Sequence, residues 1–192
     1  KIKKNSLSFR DPASRIYEIV NENGKLIKIL RGLRKDSLNN FKELSENLFF
    51  KKFLKSEMVV KSELKILDDQ NTKKIKEDGW KGVIEHEVLD FISYPYEWSF
   101  SMLKDSALLH LFIIKKSYEN SWTLKDSSAY NVQWKNGKPI FIDLASFVPC
   151  NGDFKCIGYR QFCSMFLIPL LIKKYLDFNI NNILRSNLDG VS

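Results

Sequence analysis

The chain has 192 residues, and its 31 lysines and arginines outnumber its 23 acidic residues to give a net charge of +8. Hydrophobic residues make up 44% of the sequence and aromatic residues 13%, which excludes an intrinsically disordered chain. This length suits one domain or one large part of a longer protein.

The sequence also argues against a disulfide framework, a cysteine zinc site, a membrane span and a signal peptide. Three cysteines (Cys150, Cys156 and Cys163) are too few for a disulfide framework, and no CxxC pair is present for zinc. No run of about 18 uncharged apolar residues occurs, and polar residues follow the basic N-terminus, so we expect neither a membrane span nor a signal peptide. We therefore expect reduced thiols and a cytoplasmic protein. The missing initiator methionine suggests a fragment.

The positive charge has two interpretations. Lysines are spread along the chain with acidic residues between them, which is typical of a solvated surface. The alternative is a partner that carries phosphates. Nucleic-acid binding would rest on charge alone, since no zinc finger or RNA-binding aromatic signature is present.

The N-terminal part predicts a hairpin followed by a helix. Residues 14–30 contain two β-rich runs around Asn23 and Gly24, two residue types that tolerate the positive φ of a tight turn. We expect Gly32 to end this unit. Apolar residues at helical spacing then predict a helix that Ser37 caps and that runs to about Leu54.

The middle of the chain is less regular. Residues 55–80 predict a short strand near residues 58–60 and then a surface loop, and residues 82–94 predict a second strand pair that ends at Pro95. Residues 99–118 are almost continuously apolar, so they predict a central, buried helix. We interpret His86 and His110 as scaffold residues, since no second ligand lies at metal spacing.

The third part predicts a loop, a hairpin and two helices. Residues 122–131 lead into two β-rich runs joined by a turn at Asn136 and Gly137. A helix is expected from about residue 159 to 175, and a terminal helix near residues 180–184.

Three polar residues of this part have a spacing with chemical meaning. Asp126 and Asn131 stand five positions apart, and Asp143 follows the hairpin. Phosphoryl transfer needs a carboxylate beside the attacking hydroxyl, and it needs an amide oxygen and a second carboxylate at the metal that bridges the nucleotide phosphates. A tight hairpin between these residues would bring its two strand ends together.

These residues resemble the protein-kinase-like superfamily, including small-molecule kinases of the aminoglycoside-phosphotransferase type. Residues 124–131 (LKDSSAYN) look like its catalytic loop, and residues 141–145 (FIDLA) look like its metal-binding strand end. The resemblance implies ATP and Mg²⁺ as cofactors, with Asp126 as the catalytic base and Asn131 and Asp143 as metal ligands. It also gives Lys125 a possible contact with the transferred phosphate.

The same resemblance implies an α+β, two-lobed fold. Residues 1–95 would form a small N-terminal lobe with a β-hairpin, a helix and the hinge, and residues 96–192 a truncated helical C-lobe. Lys28 would occupy the place of the phosphate-contacting strand lysine, and Glu46 would pair with it, with Glu43 as the competitor. The chain departs from the family because it has no G-x-G-x-x-G loop and only about 50 residues after Asp143.

A second resemblance covers nearly the whole chain. Residues 93–105, 124–133 and 159–163 look like blocks in the N-terminal part of bacterial SAM-dependent methyltransferases of a nodulation-associated type. No acidic or glycine-rich SAM-binding turn is present in the chain. This resemblance implies that SAM would bind only in a methyltransferase domain beyond Ser192.

Two functions stay open on these grounds. The first is transfer of a phosphoryl group from ATP to a small-molecule or sugar hydroxyl. The second is a catalytically inactive, kinase-like accessory domain that serves a linked methyltransferase. The three polar residues favour the enzyme, and the missing glycine-rich loop favours the accessory domain.

Overall fold

A computed structural model of the chain describes residues 2–5, 12–65, 70–150 and 158–191. It is an α+β structure, as the sequence predicts. The contacts divide the chain into two compact units, one of Lys1–Leu54 with Val60–Leu89 and the other of Lys55–Val59 with Asp90–Ser192. From the sequence we expected the boundary between residues 95 and 96, a few residues after the observed boundary between Leu89 and Asp90.

The first unit contains a five-stranded antiparallel sheet with the strand order β1-β2-β3-β5-β4. Its strands are β1 (Ile2–Lys4), β2 (Ser14–Val20), β3 (Leu26–Leu33), β4 (Ser62–Lys65) and β5 (Gly82–His86). Its helices are α1 (Lys35–Glu46), α2 (Leu48–Lys55), whose last residue falls at the boundary, and α3 (Gln70–Glu77).

The predicted hairpin is confirmed as β2 and β3. Gly24 supplies the positive φ of the turn, at 77°, and its amide donates to the Asn21 carbonyl at 3.1 Å. The expectation that Gly32 ends this unit is wrong, because β3 continues through it to Leu33. Glycine is needed at this position because a Cβ would lie 2.7 Å from Cγ of the Trp80 ring.

Helices cover both faces of this sheet. One face carries the main apolar cluster, which consists of Tyr17, Ile19, Leu30, Ile75, Trp80 and Val83. Adjacent strand residues point to opposite faces, so Gly82 lies on the other face from Val83. There its Cα meets Leu38 of α1 so closely that any Cβ would collide with that side chain. The lack of a side chain at Gly82 therefore lets α1 pack directly on the sheet.

The predicted single helix from Ser37 to Leu54 is instead two helices. The backbone is extended at Asn47, with a ψ of 134°, and α2 begins at the next residue. The Asn47 side chain donates to the Glu43 carbonyl at 3.2 Å, a local bond that competes with helix continuation. As a result Leu48, which the helical pattern assigns to the core, is 75% exposed.

Two further expectations are corrected in this unit. Residues 55–80 form more than a short strand and a loop, since β4 and α3 lie within them, and the strand expected near residues 58–60 is a single parallel bridge from Val59 to Phe141. Residues 82–94 form one strand, β5, which ends at His86, and residues 87–94 form no strand.

A buried hydrogen-bond chain links the sheet of the first unit to the segment after α3. The Trp80 indole donates to the Tyr17 hydroxyl at 2.8 Å, and this hydroxyl donates to Asp78 Oδ2 at 2.7 Å. Burial, followed by the hydrogen bond to Asp78, raises the pKa of Tyr17, so the hydroxyl keeps its proton. Lys4 contacts the other oxygen of Asp78 at 2.9 Å.

We expect Tyr17→Phe to lower the free energy of unfolding by about 1–3 kcal/mol, because it leaves the buried Trp80 indole without an acceptor. Urea denaturation measures this value. Tyr175→Phe removes a hydroxyl from a side chain that is 70% exposed and should have almost no effect. Equal stabilities of the two variants would contradict the role given to the Tyr17 hydroxyl.

The second unit is built around one long helix. Its helices are α4 (Phe100–Tyr118), α5 (Tyr159–Phe162), α6 (Ile168–Leu176) and α7 (Ile180–Ser186), and its strands are β6 (Trp122–Leu124), β7 (Val132–Lys135), β8 (Lys138–Phe141) and β9 (Phe147–Pro149). β6 pairs with β9, and β7 pairs with β8. In the part of the chain that the structure describes, no helix is long and apolar enough to cross a membrane.

The predicted helix over residues 99–118 is confirmed as α4. Ser99 caps it by accepting a hydrogen bond from the Met102 amide. The expected burial holds for one side of α4 only, since Leu108 and Leu111 on the other side are exposed. The helix predicted over residues 159–175 is also formed, but a π-helical turn at Cys163–Leu167 separates α5 from α6.

Each unit encloses one histidine, as expected of scaffold residues. His110 on α4 is buried with Phe141, Phe162 and Phe166, and its ring centroid lies 5.6 Å from that of Phe141. Burial lowers the pKa of His110 to about 4. Burial and the positive charge of Arg31 lower the pKa of His86 to about 3. Both rings are therefore neutral in the folded protein at pH 7.

We expect stability to fall as the pH drops from about 6.5 towards 4. The unfolded chain protonates its histidines near pH 6.5 and the folded chain does so only at lower pH, so each histidine costs up to about 1.4 kcal/mol per pH unit in this window. Urea denaturation at pH 6.5, 5.8 and 5.0 measures the slope. His110→Leu should roughly halve it, while Asp177→Asn, a surface change, should leave it unaltered.

Candidate functional site

The loop between β6 and β7 carries Asp126 and Asn131 and is bound to the segment that follows Asp143. The Lys125 amide donates to the Ser146 carbonyl at 2.9 Å. The Asp126 amide donates to Ser146 Oγ at 3.1 Å, and this hydroxyl donates to the Asp126 carbonyl at 3.2 Å. These bonds extend the β6–β9 pairing into the loop.

The Asp126 side chain is held by its own loop. Asp126 Oδ1 accepts a hydrogen bond from the Ser128 amide at 2.9 Å, which is the turn that aspartate commonly forms two residues ahead of itself. Ser128 in turn accepts from the Tyr130 amide at 3.2 Å and so caps a short 3₁₀ helix, Ala129–Asn131. The Ser128 amide thus orients the Asp126 carboxylate, and the residue is only half-buried.

Asn131 is joined directly to the residue before Asp143. Its carbonyl accepts from the Ile142 amide at 2.8 Å. Its side-chain Nδ2 is buried and has no hydrogen-bond partner among the described residues. Because a side-chain amide can turn by 180°, this position offers either a donor or an acceptor to a ligand.

Asp143 follows β8 and begins a 3₁₀ helix, Leu144–Ser146. Its carbonyl accepts from the Ser146 amide at 3.0 Å, and its side chain is half-buried. The predicted turn between β7 and β8 is confirmed, with positive φ at Asn136 (51°) and Gly137 (73°). Asn131 is thus hydrogen-bonded to Ile142, which precedes Asp143. Asp126 and Asp143 are both hydrogen-bonded to Ser146.

The other predicted residues lie in different surroundings. Lys125 is half-buried at the start of the loop. Lys28 is exposed on β3 and pairs with Glu85 of the neighbouring strand at 3.3 Å. Glu46 is exposed near the end of α1 and pairs with Lys51 at 3.2 Å.

The predicted ion pair between Lys28 and Glu46 is therefore wrong. Among the described residues, neither side chain contacts the other, and each has a nearer partner of opposite charge. Glu46 is the last residue of α1, so it does not continue the helical face of Phe49 and Phe53, which belong to α2.

Three positions that contact the loop were missed by sequence reasoning. Ser146 bonds to Asp126 as described above. Gln161 of α5 accepts from the Ser127 amide at 2.8 Å, and Gly158 packs against the Ser127 side chain. The signal that could have drawn attention to Gln161 was its place in the resembling block 159–163.

An aromatic group lies beside the loop. Tyr94 and Tyr96 stack with ring centroids 5.4 Å apart, and Tyr94 contacts the ring of Tyr130, which directly precedes Asn131. The backbone of Ser93 is fixed by two hydrogen bonds with the buried Gln133 side-chain amide. The aromatic group is thus attached to β7 of the same unit.

Asn131 and Asp143 carry the types of oxygen donor that Mg²⁺ takes in proteins. No group of three or more histidine, cysteine or acidic residues is arranged to hold a metal in the described part of the chain, so a closed all-protein site is not formed there. Mg²⁺ commonly takes one or two protein oxygen ligands and completes its shell with phosphates and water. Asn131 and Asp143 supply one amide oxygen and one carboxylate.

Comparison with known proteins gives one relative and no family. No family model matches the chain. Over 109 residues the chain is 41% identical to the nodulation protein NoeA of Rhizobium meliloti (strain 1021). The matched stretch is 57% of this chain and 23% of that relative, so the chain spans about a quarter of the length of the relative. The expected resemblance to nodulation-associated proteins is confirmed in this coarser form.

We expect Gly158→Ala to destabilise the second unit by about 1–3 kcal/mol, since the new Cβ would overlap the Ser127 side chain. Urea denaturation of the two single variants and the double variant measures the effect. Ser127→Gly removes the overlapping atoms, so it should cost less in the Gly158→Ala background than in the wild type. If the destabilisations of the two single variants simply add in the double variant, the close contact with the Ser127 side chain is not the reason for glycine at position 158.

Proposed function

We propose that the chain is a magnesium- and ATP-dependent phosphotransferase-type domain that acts on a hydroxyl of a small molecule or sugar. The observation that carries the proposal is the backbone connection of the three polar residues. The Asn131 carbonyl is hydrogen-bonded to Ile142, the residue before Asp143. The Asp126 amide is hydrogen-bonded to Ser146, the third residue after Asp143. Phosphoryl transfer needs a base and two metal ligands in this kind of proximity.

The proposed chemistry assigns one role to each residue. Asp126 orients the acceptor hydroxyl and takes its proton as the oxygen–phosphorus bond forms and the bond between the β- and γ-phosphates of ATP breaks. Asn131 and Asp143 are the ligands for Mg²⁺, which when bound neutralises charge on the phosphates. Lys125, next to Asp126 in the chain, is the candidate contact for the transferred phosphate.

The order of the elements supports the kinase-like part of the proposal. In the second unit, helix α4 is followed by β6, the polar loop, the β7–β8 hairpin, Asp143 and β9. In the first unit, helix α1 follows the third strand of an antiparallel sheet, which is where a kinase carries the helix that supports its strand lysine. The exposed ring of Tyr94, stacked on the half-buried ring of Tyr96, offers a surface for a small acceptor near the loop.

A second function is favoured by two other observations. Lys28 and Glu46 lack the ion pair that an active kinase needs in place, and the relative NoeA is far longer than the stretch that matches. The chain would then be a catalytically inactive, kinase-like accessory domain of a larger bacterial SAM-dependent methyltransferase. In that case SAM binds to a separate domain and not to the residues described above.

The thermal unfolding midpoint of the chain, measured with and without ATP and Mg²⁺, tests the proposal. A ligand that binds only the folded state stabilises it by about 2.7 kcal/mol at 100 times its dissociation constant. We expect a magnesium-dependent rise in the midpoint that Asp143→Asn abolishes. Asp177→Asn, which removes an equal charge from a carboxylate whose side chain is 90% exposed, should keep the full rise.

The possible outcomes separate the two functions. A magnesium-dependent rise that survives in Asp143→Asn would place the nucleotide elsewhere and overturn the assignment of Asp143. No rise at any ATP concentration up to about 10 mM would favour the accessory domain. A rise that requires Asp143 would justify a screen of hydroxyl acceptors with radiolabelled ATP.

A further inference from the structure

The helical segment that follows the β9 strand fixes the polar loop from outside. Gln161 Oε1 accepts a hydrogen bond from the Ser127 amide at 2.8 Å, across 34 positions of sequence. Ser128 Oγ lies 3.5 Å from the sulfur of Met165, one turn further along. Gly158 packs against Ser127 so closely that no larger residue fits. Three successive turns of this segment thus contact residues 127 and 128.

The bond from Gln161 has a consequence for Asp126. Ser127 and Ser128 present successive backbone amides, the first to Gln161 Oε1 and the second to Asp126 Oδ1. Since a peptide unit is planar and rigid, the Ser127 amide lies in one plane with the carbonyl and Cα of Asp126, so the bond to Gln161 fixes the backbone from which the Asp126 side chain extends. The Ser128 amide in turn sets the orientation of the Asp126 carboxylate.

We infer that Gln161 is a positioning residue that holds the Asp126 carboxylate in its orientation through the Ser127 and Ser128 amides. Its importance for catalysis rests on the proposed function, in which Asp126 is the base. The π-helical turn that begins at Cys163, just after α5, is consistent with such a role, because π-helical turns occur frequently at functional sites.

Amide hydrogen exchange followed by NMR tests this inference without any nucleotide. Gln161→Met keeps the length of the side chain and removes the acceptor, so we expect the Ser127 and Ser128 amides to exchange roughly tenfold faster. Gln161→Glu keeps an acceptor oxygen and should restore protection to within about threefold of the wild type. Amides of the β7–β8 hairpin should exchange at the wild-type rate in both variants.

Two further variants test whether the loss of protection spreads from Gln161 to the Ser128 amide. Asp126→Ala removes the acceptor of the Ser128 amide only, so it should expose that amide and leave Ser127 protected. Arg160→Gln changes the net charge by the same amount as Gln161→Glu on an adjacent, exposed residue, and it should alter neither amide.

The inference is overturned if Gln161→Met leaves the Ser128 amide protected, because Gln161 would then hold Ser127 without positioning Asp126. It is also overturned if Gln161→Glu is as damaging as Gln161→Met, or if both variants speed exchange throughout the unit by the same factor. Since these measurements need no ATP, a failed thermal-shift experiment would overturn the proposed function and leave this result to be judged separately.

Discussion

The antiparallel pairing of β6 with β9 is the constraint on which the candidate site depends. Each strand has only three residues, and the bonds of Lys125 and Asp126 to Ser146 lengthen the pairing. A single serine hydroxyl thus donates to the carbonyl and accepts from the amide of the same residue. These bonds hold the loop and the segment after Asp143 together as one piece.

Among the described residues no cation contacts the Asp126 carboxylate, and a backbone amide orients it. Asp126 is satisfied by the amide of Ser128, whereas the carboxylates of Glu85 and Asp78 are bound to lysines. A carboxylate held by a neutral amide keeps its direction and, in the part of the chain that the structure describes, has no ion pair to break before it accepts a proton. Hydrogen bonds also hold the Asn131 backbone, through both its amide and its carbonyl. The side-chain nitrogen of Asn131 has no hydrogen-bond partner among the described residues.

The features that the sequence predicted well are those set by neighbouring residues. The β7–β8 turn follows from Asn136 and Gly137, and the start of α4 follows from Ser99, since both depend on local backbone preferences. The break at Asn47 has an equally local cause, but the apolar residues on both sides of it continue the helical period and conceal it.

The features that failed or were missed depend on distant pairing. Lys28 pairs with Glu85 because of the register between β3 and β5, which no local pattern specifies. The contact of Gln161 with the loop likewise depends on how α5 packs, 34 positions downstream. The three polar residues were therefore chosen from their spacing in the sequence, whereas the residues that the structure places around them could not be.

The π-helical turn at Cys163–Leu167 imposes a constraint on chain length. A π-helical turn contains one residue more than an α-helical turn, and each residue of an α-helix advances the chain by about 100° around the axis. Loss of one residue within the turn would convert it to an α-helical turn and leave Gln161 of α5 facing the same way relative to α6. A residue gained or lost between Gln161 and the turn would instead rotate Gln161 by about 100°, so a change of length is tolerated within the π-helical turn and not beside it.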